Sequence, residues 1–228
     1  MSHIFESQYK TSGFASQRRY PNEQLIAFIA RNYFSLPQNS RKEIKILEVG
    51  CGSGANLWFL GKEGFDAYGI DTAPTGIKYC QEMLRLWNVE AKIAVGDMKK
   101  LDFPDETFDA IADVVSMQHL TYTDHLPCYR EIYRALKKGG RFFSFHLGEN
   151  SVSYKQGGGK LVDKNTVDDI VDKTKPLSGN GQTCFLAPAD AKSMLEDAGF
   201  KELSIDIITR TYNGRKFMLE YLIIETKK

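Results

Sequence analysis

Residues 44–54 read Ile44-Lys45-Ile46-Leu47-Glu48-Val49-Gly50-Cys51-Gly52-Ser53-Gly54, and a helix-like run from Ala55 to Lys62 follows. An apolar strand closing on an acid, a turn with three glycines and a helix start form the arrangement in which backbone comes close to a nucleotide-type ligand. Glycine accepts positive φ and carries no Cβ, and the first N–H groups of the helix face outward. The glycine spacing alone also fits dinucleotide-binding turns and simple packing, so the reading needs further anchors.

Two anchors lie downstream. Asp66-Ala67-Tyr68-Gly69-Ile70-Asp71 reads as a short strand ending in an acid. It stands where a carboxylate accepts hydrogen bonds from ribose hydroxyls. Asp71, with Thr72 beside it, is the ribose candidate. The alternating stretch Ala91-Lys92-Ile93-Ala94-Val95-Gly96-Asp97-Met98 again ends in an acid. There a carboxylate can accept from an adenine amino group. Asp97 is the adenine candidate.

The combination resembles the class I S-adenosylmethionine-dependent methyltransferases. The resemblance rests on E-V-G-C-G-S-G at 48–54, G-I-D at 69–71, G-D-M at 96–98 and L-D-F-P-D-E-T-F-D-A-I at 101–111. It continues through A-D-V-V-S-M-Q-H-L at 112–120 and R-A-L-K-K-G-G-R-F-F-S-F at 134–145, and it covers roughly residues 44–147. The turn is E-x-G-x-G-x-G rather than the dinucleotide G-x-G-x-x-G. The resemblance implies S-adenosyl-L-methionine as cofactor, with S-adenosyl-L-homocysteine as product.

It also implies a set of cofactor-binding residues. Gly50, Cys51, Gly52 and Gly54 line the approach to the methionine part, and Glu48 orders the turn or reaches the amino group through water. Met98 flanks the adenine; Asp113, Val114 and Ser116 lie beside the methionine moiety. In relatives an N-terminal segment often folds over the cofactor, which makes Arg19 and Tyr20, in an arm that also holds Tyr9, Phe14 and Arg18, candidates for a carboxylate pair and a cation–π contact.

Along the chain, helical spacing runs from Leu25 to Phe34, after an N-terminal arm. Strands are predicted at 44–50, 66–71, 91–97, 108–115 and 140–147, with helices at 54–63, 75–87 and 124–136. Such alternation calls for parallel strands with right-handed crossovers and helices on both faces. A helix at 188–198 stops at Gly199, and strands at 202–210 and 217–226 flank Asn213-Gly214, so they pair as an antiparallel hairpin. The expected fold is a Rossmann-like α/β three-layer sandwich with a seven-stranded, mostly parallel sheet. The resemblance supplies the order 3-2-1-4-5-7-6, with the last strand antiparallel.

The chain is expected to form a single methyltransferase domain. Residues 1–40 give an arm and helix, 41–147 the cofactor-binding core, 148–187 a lid-like insertion with glycine hinges at 157–159 and 179–181, and 188–228 the C-terminal helix and hairpin. An insertion of that length is a lid or binding loop more often than a connection.

With 30 basic and 29 acidic side chains among 228 residues, the net charge is +1. That balance gives no long-range field for polyanions, so neither nucleic acid nor an anionic membrane is favoured as partner. Cys51, Cys80, Cys128 and Cys184 are scattered without metal-site or redox spacing, so no metal is expected and the thiols fit a reducing, cytoplasmic setting. No apolar run reads as a leader or a span. The expected partner is a small-molecule methyl acceptor, and the chain is expected to be a monomer or homodimer.

Methyl transfer from a sulfonium is an in-line displacement dominated by positioning. An acceptor hydroxyl or amine can still need to lose a proton, and His119, His146 and Tyr122 are the candidate catalytic groups. His119 stands where the family often carries a histidine, and a loop-holding hydrogen bond is its competing role. The expected activity is methylation of an O, N or C nucleophile on a small molecule such as a sugar derivative or secondary metabolite. RNA or protein methylation, and cofactor binding without turnover, are the alternatives.

Overall fold

The computed structural model describes residues 2–228. Its helices are α1 (Ser2–Ser12), α2 (Glu23–Tyr33), α3 (Leu57–Lys62), α4 (Pro74–Trp87), α5 (Tyr122–Ala135), α6 (Val152–Gln156) and α7 (Pro188–Asp197). Its strands are β1 (Lys45–Val49), β2 (Asp66–Asp71), β3 (Lys92–Val95), β4 (Phe108–Val114), β5 (Leu136–Leu147), β6 (Leu161–Asp163), β7 (Thr166–Val167), β8 (Thr183–Cys184), β9 (Lys201–Tyr212) and β10 (Phe217–Lys227). Seven strands form one sheet in the order β3-β2-β1-β4-β5-β10-β9. Since β6–β8 make a separate small sheet, this is the expected order, with β10 antiparallel to both neighbours.

The central strands β1, β4 and β5 are covered on both faces, as their nearly continuous burial requires, while the edge strand β3 is largely exposed. Phe142 and Phe143, neighbours in β5, point to opposite sides and are both fully buried. Phe142 packs in the layer of Tyr129 and Ile132 from α5, together with Leu195 from α7. Phe143 packs in the layer of Phe28 from α2, Leu57 from α3 and Ile77 from α4. Local chemistry sets the ends. The Asn22 side chain accepts from the N–H groups of Gln24 and Leu25 to start α2, and Thr121 caps α5 through the Asp124 N–H.

Two segments carry more structure than their sequences suggested. The arm opens as helix α1, which lies along α4. There the Glu6 carboxylate accepts from the Thr75 N–H at 2.9 Å and the Thr75 hydroxyl at 2.6 Å. The 148–187 insertion is an ordered cap of α6 and the β6-β7-β8 sheet. Its glycines are not uniform hinges. A Cβ on Gly157 would meet the Ser153 carbonyl and one on Gly159 the Asp169 carbonyl, so both allow close packing, whereas Gly158 and Gly179 face open space. Among the described residues no helix is long and apolar enough to cross a membrane.

Candidate functional site

The carboxyl ends of β3, β2, β1, β4 and β5 open onto one cleft of about 840 Å³, within the range of small-molecule sites. Its floor is the turn after β1. Gly50 and Gly52 have φ +69° and +50°. A Cβ at Gly50 would collide with the Ser116 side chain, and one at Gly52 would lie 2.6 Å from the Tyr9 hydroxyl. Only glycine keeps this floor low. Gly54 serves packing instead, since its Cβ would lie 2.6 Å from Cys80 Sγ in α4, and it does not line the cleft.

Asp71, at the end of β2, is fixed by two backbone donors, the Gly52 N–H to one carboxylate oxygen at 2.9 Å and the Ala73 N–H to the other at 2.8 Å. Each oxygen keeps a lone pair for a further donor. Burial raises its pKa above the usual carboxylate range, opposed by those two hydrogen bonds. Thr72, Asp97 and Met98 line the same end, and Asp97 accepts from the Lys99 N–H at 2.9 Å.

Glu48, in β1, is 2% exposed. One oxygen accepts from Asn56 Nδ2, whose own carbonyl oxygen holds the Asn22 N–H; the other oxygen, Oε2, is buried without a partner. Burial pushes its pKa up to about 8, against the Asn56 hydrogen bond and the nearby Arg18. Arg18 lines the cleft.

Past β4 the chain turns sharply. Val115 takes φ +55°, a strained value for a β-branched residue. Asp113 holds the turn by accepting from the Ser116 and Met117 N–H groups, both at 2.9 Å, and from the Ser144 hydroxyl at 2.6 Å. Asp113 is fully buried and outside the cleft lining; it positions the loop, and burial pushes its pKa up to about 6. Val114, Ser116, Gln118 and His119 do line the cleft.

His119 Nδ1 is 2.9 Å from the Gln182 carbonyl. A carbonyl only accepts, so Nδ1 carries the proton. Burial pushes the His119 pKa down to about 4, so the ring is neutral and its Nε2 presents a lone pair. Gln118 Nε2 lies 3.3 Å from that atom and must be the donor. The Gln118 carbonyl oxygen, Oε1, is thereby left as an acceptor, buried and unpartnered.

Several sequence candidates lie elsewhere. His146 is fully buried outside the lining, with Nε2 3.1 Å from His125 Nε2 and Nδ1 2.9 Å from the Leu147 carbonyl, and burial pushes its pKa down to about 3. It alternates inward along β5 rather than toward the edge. Tyr122 faces the insertion, where its hydroxyl meets Lys164 Nζ at 3.3 Å. Tyr20, 65% exposed, packs edge-on against Trp58 and Trp87, and Arg19 lies over Phe14 while its carbonyl holds the Trp58 indole N–H. None of these lines the cleft. The arm reaches it through Phe5, Tyr9 and Arg18 instead. Phe5 and Gln118 were not singled out: Phe5 sits on a helix that alternates little in hydropathy, and Gln118, though within the 112–120 motif, is a neutral amide that no chemistry marks in sequence.

Residues 47–144 match a family model described as a methyltransferase domain. The chain is 36% identical over 96 residues to the 2-methyl-6-phytyl-1,4-hydroquinone methyltransferase of Synechocystis sp., covering 42% of this chain and 29% of that protein. It is 28% identical to cycloartenol-C-24-methyltransferase 1 of Oryza sativa, covering 78% of this chain and 52% of that one. The chain thus spans about half or less of the length of these curated relatives. A solved S-adenosylmethionine-dependent methyltransferase from Methanosarcina mazei shares the fold, with a TM-score of 0.69 at 20% identity, covering 88% of this chain and 96% of that one. Residues 47–144 thus match a methyltransferase domain, and the chain as a whole has the fold of a solved S-adenosylmethionine-dependent methyltransferase.

Proposed function

We propose that the chain binds S-adenosyl-L-methionine and transfers its methyl group to an O, N or C nucleophile of a small molecule, releasing S-adenosyl-L-homocysteine. One observation carries the reading: the glycine turn, Asp71 and Asp97, from three separate strands, open onto a single cleft. The residues present fit the cofactor. Asp71 has free lone pairs for two ribose hydroxyls, Asp97 stands at the far end for an adenine amino group, and Glu48 offers an unpartnered buried oxygen near the turn.

When bound, the cofactor would supply an electrophilic methyl carbon on a sulfonium sulfur, with the neutral thioether of S-adenosylhomocysteine as leaving group. The chain's own part is positioning and exclusion of water. Gly50 and Gly52 keep the floor low, Asp71 locks the turn to the start of α4, and Tyr9 from α1 stands over Gly52. His119, held neutral with its Nε2 lone pair accepting from Gln118, is a weak base and does not ionise a bound acceptor. Four buried free thiols support a reducing, cytoplasmic setting.

Calorimetric titration with S-adenosylhomocysteine, followed by a screen for its release from S-adenosylmethionine across pooled small molecules, tests the reading. Saturable binding with turnover supports it. Binding without turnover favours the second reading, a cofactor-binding protein without catalysis, which the low basicity of His119 keeps in play.

A further inference from the structure

The strand order fixes the order of the cleft's lining, and it divides the cleft by charge. Over β3, β2 and β1 stand Asp97, Lys99, Asp71 and Glu48, with Arg18 reaching in from the arm. Over β4, β5 and β10 the wall changes character: Val115, Ser116, Leu147 and Tyr221 line it, and Phe5 and Leu177 approach from α1 and the insertion. No Asp, Glu, Lys or Arg lines this half among the described residues. Its histidine, His119, donates Nδ1–H to the Gln182 carbonyl and is kept neutral by burial.

The same half contains one unsatisfied polar atom. Gln118 Oε1 is buried with no hydrogen-bond partner, because the tautomer of His119 forces the Gln118 NH₂ toward Nε2. A buried acceptor left unpaired costs about 1–3 kcal/mol, and a bound group that donates to it recovers that cost. Phe5, whose ring meets His119 edge-on at 4.5 Å, covers this corner, and Gln118 lines the cleft beside it.

Resting on the methyltransferase reading, we propose that the methyl acceptor is an electrically neutral molecule with an apolar body and one hydroxyl or N–H group. The apolar body lies against Leu147, Tyr221, Leu177 and Phe5, and the hydroxyl or N–H donates to Gln118 Oε1. A carboxylate or phosphate entering this half would lose its water with no cation to meet it, which is strongly unfavourable. The specificity is therefore set by exclusion as much as by attraction.

The test uses three matched probes, para-cresol, its methyl ether and para-toluate, titrated by ligand-observed NMR with and without saturating S-adenosylhomocysteine. Para-cresol is expected to bind about tenfold or more tighter than either of the others, the worth of one hydrogen bond to a buried acceptor. Gln118→Leu should abolish the difference between cresol and ether. Should that variant misfold, Leu177→Arg, on the cap, is expected to turn the preference toward para-toluate. Toluate binding as tightly as cresol in the native protein overturns the proposal, as does a cresol preference that survives Gln118→Leu. S-adenosylhomocysteine failing to bind would instead strike the cofactor reading, while the probe comparison without it still decides the character of this half.

Discussion

Asp71 and Glu48 show how single side chains carry the account. Asp71 ties the glycine turn to the start of α4 and faces the cleft, so Asp71→Ala removes both the proposed ribose partner and a brace. We expect S-adenosylhomocysteine affinity to fall more than about tenfold by calorimetry; an unchanged dissociation constant would take Asp71 out of the site. Glu48 yields a pH prediction. Its pKa is raised from 4.5 to about 8 in the fold. Below 4.5 both the folded and unfolded chains hold the proton; between 4.5 and about 8 only the fold does, so stability falls as pH rises through that window and levels off above it. Asp113, raised from 3.8 to about 6, adds a loss of the same sign at lower pH. Glu48→Gln, which keeps an oxygen for Asn56, should melt like the native protein near the acid end of the window and higher near its alkaline end. Parallel melting-versus-pH curves would show that Glu48 is not the group responsible.

At the scale of elements, α1 and the cap meet above the cleft. Gln8 Nε2 donates to the Gly179 carbonyl at 3.1 Å, and Phe5 rests on His119. The clamp at the other side is Glu6 on the first turn of α4, where a carboxylate gains from the N–H of Thr75 and from the helix dipole. Those contacts hold its pKa down to about 2, so the clamp persists through neutral pH. Glu6→Ala should raise hydrogen exchange across α1 and speed S-adenosylhomocysteine release in stopped flow, with little change in melting temperature. Unchanged exchange would mean that α1 is held by other contacts. Elements were legible where the sequence is periodic or punctuated: β1 and β2 announce themselves through apolar runs that end in acids. The arm was not, because α1 is short of alternation and its order depends on partners far along the chain, Thr75, His119 and Gly179. The cap's small sheet was hidden for the same reason, its strands being two or three residues long. His146 marks the limit at single positions, since an end-of-strand location does not say which face a side chain takes.

The whole molecule is a sheet clamped between two apolar layers, with its chemistry at one edge. The layers meet through β5, where Phe143→Ala should cost about 3–5 kcal/mol in urea denaturation, the range for emptying a buried phenylalanine site. A loss near zero would mean that the layer around Phe28 collapses freely to fill the gap. The candidate edge was readable from the motifs together, because strand, acid and turn recur in register, and the sheet order came from the resemblance those motifs carry; the division of the cleft by charge was not readable, because it needs β10 and α1 brought beside β4. The central claim is that the turn at 48–54, the start of α4 at 71–76 and the acid at 97 form one cradle for an adenosyl ligand. Hydrogen exchange measured with and without S-adenosylhomocysteine tests it most directly. The account predicts that all three stretches gain protection together on titration, and protection confined to one of them, or none, would contradict it.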